Sequence, residues 1–433
     1  MSRERIIQTV ESQRDRVIGL LRELVACRSE NPKLLDDPVR QEEGRLGEAA
    51  CQTAIAGHLE ALGMEIDRFE ALSGREDVVG TLRGSGGGRS LILNGHIDVV
   101  PVGDRSLWPH DPWAGEIADG KLWGRGSCDM KAGIAAGIGA VMALQACGIR
   151  LQGDVVLQTV VDEETGGPGT RAALERGHLA DAAIVLEPTA GSIMPVEGGV
   201  EWLHVTVRGV AGHSCMRYRS VHAGGQGTAV NAIEKAAKLL AAVQELERHW
   251  GNTKVHPLMP RGITTINPGS ITGGTAALSN MVDECVLGLS LKYLPSERRD
   301  DVRTSFEDYL ASVSAADPWL RDHPPKIEWG VSGVSFPPSE IALDHPLCEA
   351  VAGGFRKVIG EPEWRGFEAV SDLAWIAEAG IPGLLYGPGD TMQAHSTAEY
   401  VDVEELIAAT KVVALALVDW CGVTQRGPTG PQP

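Results

Sequence analysis

The sequence predicts an α/β protein: a mixed, mainly parallel sheet between helices, interrupted by a smaller inserted α+β domain. Three observations carry this reading. Mostly apolar runs such as VVLQTVV (155–161) and AAIVL (182–186) alternate with helical segments, as strands buried on both faces do. Near Gly198 the texture changes, and EWLHVTVRGV (201–210) alternates like an antiparallel strand with one exposed face. Gly (53) and Pro (24) make up roughly 18% of 433 residues, enough for many tight turns and short of a disordered composition.

The elements follow in order. Ile6, Ile7, Val10, Val17, Leu20, Leu21 and Leu24 recur at helical spacing, so a helix is expected up to about Ala26. A second helix is expected over about Glu43–Leu62, stopped by Gly63. Strands are expected at Met64–Glu70, Asp77–Arg83 and Ser90–Asn94, the last two joined through GSGGG (84–88) as a hairpin. That glycine run lacks the Gly-Lys-Ser/Thr ending of a phosphate loop. A small-residue helix over Met130–Ala146 precedes a strand at Asp154–Val161, a helix at Thr170–Arg176 and a strand at Ala182–Leu186. From Gly198 the expected order is strand, helix Val230–His249, strands Gly262–Ser270 and Val282–Tyr293, helix Ser296–Ser314 and strand Lys326–Gly330. This β-α-β-β-α-β order describes a ferredoxin-like unit. After Ser335 come helices His345–Ile359 and Ser371–Ala379, strand Gly383–Tyr386 and helix Val403–Trp420. The expected organisation is a discontinuous domain (1–198 and 335–433) around an insertion (199–334).

Composition excludes several jobs. Lys plus Arg is 39 and Asp plus Glu is 58, a formal net charge of −19, which argues against nucleic acid or an anionic membrane as partner. No apolar run approaches a membrane span, and the charged start MSRERIIQTVESQRDR lacks a signal-peptide core. The eight scattered cysteines contain no C-x-x-C pair and read as reduced thiols, so a cytoplasmic enzyme is expected. No G-x-S-x-G elbow occurs, which sets aside that type of serine hydrolase.

The chemistry gathers where strands end. LILNGHIDVVP ends a strand with His96 and Asp98, and WGRGSCDMKAG places Asp129 at the mouth of the small-residue helix. DEETGG carries Asp162, Glu163 and Glu164 after the next strand, AAIVLEP carries Glu187, and YGPGDTMQAHSTAEY carries His395. Ligand sites of open α/β sheets lie beyond the strands' carboxyl ends. Carboxylates grouped there repel one another unless a cation lies between them. Imidazole and carboxylate without thiolate suit Zn2+, Co2+ or Mn2+, and five such positions suit two divalent ions sharing a carboxylate. Asp162 reads as a strand-end hydrogen-bonding residue, Cys128 as a buried thiol, and His58, His178 and His249 as ordinary histidines.

This ordered set resembles the dinuclear zinc metallohydrolases that include acetylornithine deacetylase, succinyl-diaminopimelate desuccinylase, aminoacylase and glutamate carboxypeptidase. The resemblance covers nearly the whole chain and implies a zinc-peptidase-like catalytic domain with an inserted lid and dimerisation domain. It makes Asp129 the bridging ligand, His96 and Glu187 ligands of one metal, and Glu164 and His395 ligands of the other. It makes Glu163 the general base, set apart from Glu164 by the divergence of adjacent extended side chains. It also makes Asp98 the carboxylate that orients His96, and places a cis peptide after Asp129. In VAGHSCMRYRS, His213 matches the lid histidine that donates to the oxyanion, often in a partner subunit's site. In SNMVDEC, Asn280 matches the lid asparagine, although this sequence has Met281 and no Pro before Asp283.

Two departures bear on substrate. The lid strand has Lys292 in LSLKYLP where deacylases of N-acyl amino acids usually carry an arginine for the substrate carboxylate. A lysine is a point charge and no bidentate fork. The expected substrate is therefore no plain N-acyl α-amino acid, or its carboxylate is held elsewhere, with Arg217 and Arg219 as candidates. An insertion around 215–228 adds His222 as a candidate substrate residue and resembles the long-loop deformylases of N-formyl aminomethylpyrimidine. The leading expectation is a metal-dependent amidohydrolase of the deacylase type acting on a small-molecule amide, as a homodimer through the inserted domain. Alternatives are a metallo-carboxypeptidase or dipeptidase, a deformylase-like enzyme, and a non-catalytic binding protein.

Overall fold

The structure is a computed structural model describing residues 2–221 and 229–424. The chain forms two compact units, Met1–Val196 with Ser339–Pro433, and Glu197–Pro338.

The first unit is built on nine strands: β1 Glu65–Leu72, β2 Arg75–Leu82, β3 Leu91–His96, β4 Val155–Val160, β5 Ala183–Val185, β6 Ser192–Glu197, β7 Ser339–Glu340, β8 Glu363–Phe367 and β9 Gly383–Leu385. Their order across the sheet is β1-β2-β4-β3-β5-β9-β6-β7, with β8 also pairing β6. The centre is parallel: β4 with β3, β3 with β5, and β5 with β9. The pairs β1–β2, β2–β4 and β9–β6 are antiparallel. The sheet is thus mixed, with parallel pairing confined to the strands buried on both faces.

One expected connection differs. GSGGG is no hairpin turn, because β4 lies between β2 and β3. The glycine run instead crosses the foot of β4, where the amides of Ser85 and Gly86 donate to the carbonyls of Leu151 and Gln152 at 2.9 Å each. The hairpin is β1–β2, with Leu72 opposite Arg75. A glycine run marks a turn but does not reveal which strand occupies the space beside it.

The helices of this unit are α1 Arg3–Ser12, α2 Arg14–Ala26, α3 Pro38–Ala61, α4 Lys131–Ala146, α5 Pro168–Glu175, α6 Pro346–Val358, α7 Leu373–Glu378 and α8 Val403–Cys421. The first expected helix is broken at Gln13, and α3 begins earlier than expected, where the Asp37 side chain accepts from the Val39 amide at 2.8 Å. In α4, every residue from Lys131 to Leu144 is buried. Its alanines and glycines suit a helix enclosed on all sides, where larger side chains would overpack. Segments 116–118, 121–123 and 400–402 form a separate small sheet that the periodicity did not reveal. No helix among the described residues is long and apolar enough to cross a membrane. Of the ten tryptophans, Trp108, Trp123, Trp250, Trp329, Trp375 and Trp420 each lie beneath an Arg or Lys.

The second unit has an antiparallel sheet in the spatial order 266–273, 284–293, 199–208, 326–329. Helices Ala232–Thr253 and Arg299–Ala315 cover one face around Leu203, Val205, Leu239, Leu289 and Phe306. This is the ferredoxin-like arrangement.

Candidate active site

Register brings the expected residues together. The parallel pairing Leu91↔Val155 through His96↔Val160, and Asn94↔Val185, ends β3, β4 and β5 on one edge of the sheet. His96 closes β3, Glu163 and Glu164 follow β4, and Glu187 follows β5. Two glycines set the approach of α4 to this edge. A Cβ on Gly133 would lie 1.9 Å from the Leu186 carbonyl, and one on Gly95 would lie 2.8 Å from Ile134 Cγ1. Only without those side chains can the start of α4, with Asp129 just before it, press against the ends of β3 and β5. The peptide between Asp129 and Met130 is cis.

Asp129 faces two ways. Its Oδ1 lies 3.2 Å from His96 Nε2 and its Oδ2 lies 3.5 Å from His395 Nε2. His395 Nε2 is also 3.1 Å from Glu164 Oε2, and His96 Nε2 is 3.7 Å from Glu187 Oε1. One donor group, His96, Asp129 and Glu164, offers ligand atoms all within 4.8 Å of one another. A second comprises His96, Glu163 and Glu187 within the same limit, so Glu163 stands among the donors rather than apart from them. Glu163 and Glu164 do not diverge as extended residues: they lie in the 3-10 turn Glu163–Thr165, following Asp162 at φ 72°.

The electrostatics fit a cation. Burial raises the proton affinity of Glu163, Glu164 and Glu187 above the usual carboxylate range, and neighbouring acids add to it. Burial acts the same way on Asp129, but the imidazoles of His395 and His96 outweigh it and hold that carboxyl low. Hydrogen bonding to Asp129, then to Glu164, pushes His395 up to about 10. His96 is also raised; burial opposes charging it, but Asp129, Glu187 and Glu163 prevail. In the bare protein the imidazoles act as the cations of the cluster. Divalent ions would do so more strongly while leaving the imidazoles neutral, as ligation requires.

The Asp98 carboxylate does not do what was expected of it. His96 Nδ1 contacts the main-chain carbonyl of Asp98 at 2.8 Å, while Oδ1 is 3.8 Å away. The carboxylate also accepts from the amides of Asp162 (2.8 Å) and Glu163 (3.3 Å) and from Asn31 Nδ2 (2.8 Å). Residue i+2 shares a strand face with residue i, but the chain leaves β3 at His96, so the carbonyl turns toward the ring instead.

Supporting residues the sequence did not reveal surround the centre. Glu399 Oε1 accepts from the amides of Cys128 (3.0 Å) and Asp129 (3.1 Å), and its other oxygen meets buried Arg125. Glu399 lies four residues after His395, but nothing in the string distinguishes it from a surface acid. Asn31, between α2 and α3, contacts both Asp98 and Asp162.

In the second unit, His213 and Asn280 are cross-strand partners in a two-residue ladder, and both are exposed. His213 Nδ1 accepts from the Cys215 amide at 3.1 Å, and Asn280 Nδ2 donates to Thr275 Oγ1 at 3.2 Å. The candidate substrate cations do not gather. Arg217 is paired with Glu234, and Arg219 donates to Tyr218. Lys292 lies near the end of strand Glu284–Tyr293 remote from Glu284, opposite Val200. His222 lies outside the described residues.

The peptidase family M20/M25/M40 profile matches residues 92–419. The chain belongs to this family. It is 37% identical over 423 residues to N-formyl-4-amino-5-aminomethyl-2-methylpyrimidine deformylase of Bacillus subtilis, covering 95% of this chain and 96% of that one. It is 31% identical over 361 residues to succinyl-diaminopimelate desuccinylase of Cereibacter sphaeroides, covering 77% and 84%. Among solved structures, the fold resembles aminopeptidase PepT of Bacillus cereus (TM-score 0.71, 21% identity, 94% and 98% covered). It also resembles the Bacillus subtilis YXEP protein, a dinuclear metal-binding M20 peptidase (TM-score 0.64, 17% identity, 95% and 99% covered). The chain is accordingly a metal-dependent hydrolase of amide bonds.

Proposed function

We propose that this M20 enzyme removes a formyl group from the aminomethyl nitrogen of an aminopyrimidine, giving formate and the free amine. The observation that carries the reading is the near-full-length likeness to the Bacillus subtilis deformylase. Lys292 supports it, because a lid without the family's carboxylate-binding arginine suits a substrate that has no carboxylate.

His96, Asp129, Glu164, Glu187 and His395 are the proposed holders of two divalent ions, Zn2+ by donor type, with Asp129 contributing to both. When bound, such ions supply Lewis acidity toward a water and the formyl oxygen. Glu163 takes the proton from the attacking water and delivers it to the leaving nitrogen as the C–N bond breaks. The Asp98 carbonyl fixes the tautomer of His96 by accepting from Nδ1, leaving Nε2 to face Asp129. His213 is the proposed donor to the oxyanion, with Asn280 holding substrate beside it. Homodimerisation is proposed through the second unit, whose edge strand Ile266–Gly273 is exposed from Asn267 onward.

The test is turnover of the metal-loaded enzyme on N-formyl, N-acetyl, N-succinyl and N-carbamoyl amines and on dipeptides. The formyl aminomethylpyrimidine should give the highest kcat/KM. A higher value on an N-acyl amino acid or a dipeptide would overturn the substrate assignment.

A further inference from the structure

A group of buried charges outside the donor cluster, Glu48, Arg75, Asp98 and Asp162, lies behind the Glu163 turn. Asp162, just before the two glutamates, is fully buried and holds a left-handed backbone (φ 72°) that non-glycine residues seldom adopt. The turn is tied at its backbone: the amides of Asp162 and Glu163 donate to Asp98 Oδ1, and that of Gly167 donates to the Asp162 carbonyl at 2.9 Å. The Asp162 side chain is held by Asn31 Nδ2 at 3.1 Å, by Lys33 and by Arg75.

Arg75 differs from the other two holders. It is 4% exposed, whereas the Lys33 side chain is 48% exposed. It donates to Glu48 of α3 through Nε (2.8 Å) and Nη2 (2.6 Å), and its remaining arm, Nη1, reaches Asp162. One planar guanidinium therefore bridges α3 and the catalytic turn, a geometry that lysine cannot reproduce in full. Topology brings it there. β2 runs antiparallel to β4, with Val78 opposite Thr159, so the start of β2 lies at the carboxyl end of β4.

We propose that Arg75 is a positioning residue for the hydrolysis, acting through Asp162 to hold the turn from which Glu163 faces the donor cluster. The inference rests on the reading of Glu163 as the base. The experiment uses the full-length, metal-loaded enzyme and the N-acyl amine the wild type turns over fastest, and compares Arg75→Met, Arg75→Lys, Asp162→Asn and Glu163→Gln. Kinetics are measured together with metal content per chain.

Arg75→Met is expected to lower kcat at least tenfold, with KM within about twofold and metal content unchanged. Arg75→Lys, which keeps a cation toward Asp162, should recover to within about threefold of wild type. Should Arg75→Met fail to fold, Asp162→Asn gives the same readout. It leaves the Arg75–Glu48 pair intact and suits a left-handed residue, so its kcat should fall while KM and metal content hold. The inference is overturned if the folded variants keep wild-type kcat, or if kcat falls only in proportion to lost metal. If Glu163→Gln itself retains turnover, the base assignment fails instead, and the two failures are told apart.

Discussion

The donor cluster of the first unit and the His213–Asn280 pair of the second are built in opposite ways. In the cluster, six titratable side chains from five segments converge behind strand ends, and only His395 is substantially exposed. Their positions are over-determined by parallel register, by the close approach of α4 at Gly95 and Gly133, and by second contacts such as Glu399 on the Asp129 amide. The second pair stands on a two-residue ladder with solvent-facing side chains. Buried charge must be compensated on the spot, so the cluster declares its need for cations. The exposed pair carries no such demand, and its proposed role rests on the resemblance alone.

Variants and conditions can sharpen or break this contrast. The largest effect is expected from Glu163→Gln. Turnover should fall ~10²–10⁴-fold, the range for a lost general base, while metal content by elemental analysis stays at the wild-type value. His213→Ala tests whether the second unit contributes chemistry at all. If it donates to the oxyanion, kcat should fall ~10²–10³-fold with the first unit's metal content untouched. An unchanged kcat would confine the chemistry to the first unit.

Chelation is next. Ligands that bind only the folded state stabilise by about 2.7–4.1 kcal/mol at 100–1,000 times their Kd, so removing the metals should lower Tm by several degrees in calorimetry. The loss should be concentrated in the first unit and spare the exchange protection of the second.

The chelated protein should also respond to pH in a definite direction. His395, raised from 6.5 to about 10, contributes stability that is complete below about pH 6.5 and is lost as pH rises through 10. Glu163, Glu164 and Glu187, also raised, are destabilising once ionised, so stability falls as pH climbs above their ordinary value of 4.5. The two effects share a sign. The Tm of the metal-free protein should decline from pH 5 toward 9, and metal loading should flatten that slope. The smallest effect is expected from Lys292→Ala, at most about threefold in kcat/KM on the formyl substrate. A loss of tenfold or more would return this residue to the substrate site.

Much of the first unit was legible because its signals are local. Apolar runs marked the central strands, and His96, Glu163, Glu164 and Glu187 were conspicuous as polar residues directly after them. The sequence could not show what lies beside what. GSGGG looked like a hairpin because the insertion of β4 between β2 and β3 is a long-range pairing. The resemblance assigned the Asp98 carboxylate to His96, but β3 ends at His96 and the nearer contact is the Asp98 main-chain carbonyl. Arg75, Asn31, Glu48 and Glu399 drew no notice, since a buried charge reads in sequence like a surface one until its partner appears.

The sequence by itself determined the alternation of strands and helices, the change of texture near Gly198 and the acid and imidazole content of the strand-end loops. These depend on residue type and short spacing. The tertiary structure alone decided that Asp129 turns one oxygen to each histidine, that Glu163 stands among the donors in a 3-10 turn, and that Arg75 ties that turn to α3. Each of these depends on segments far apart in the chain meeting at one edge of a sheet, where burial makes every charge answer to its neighbours.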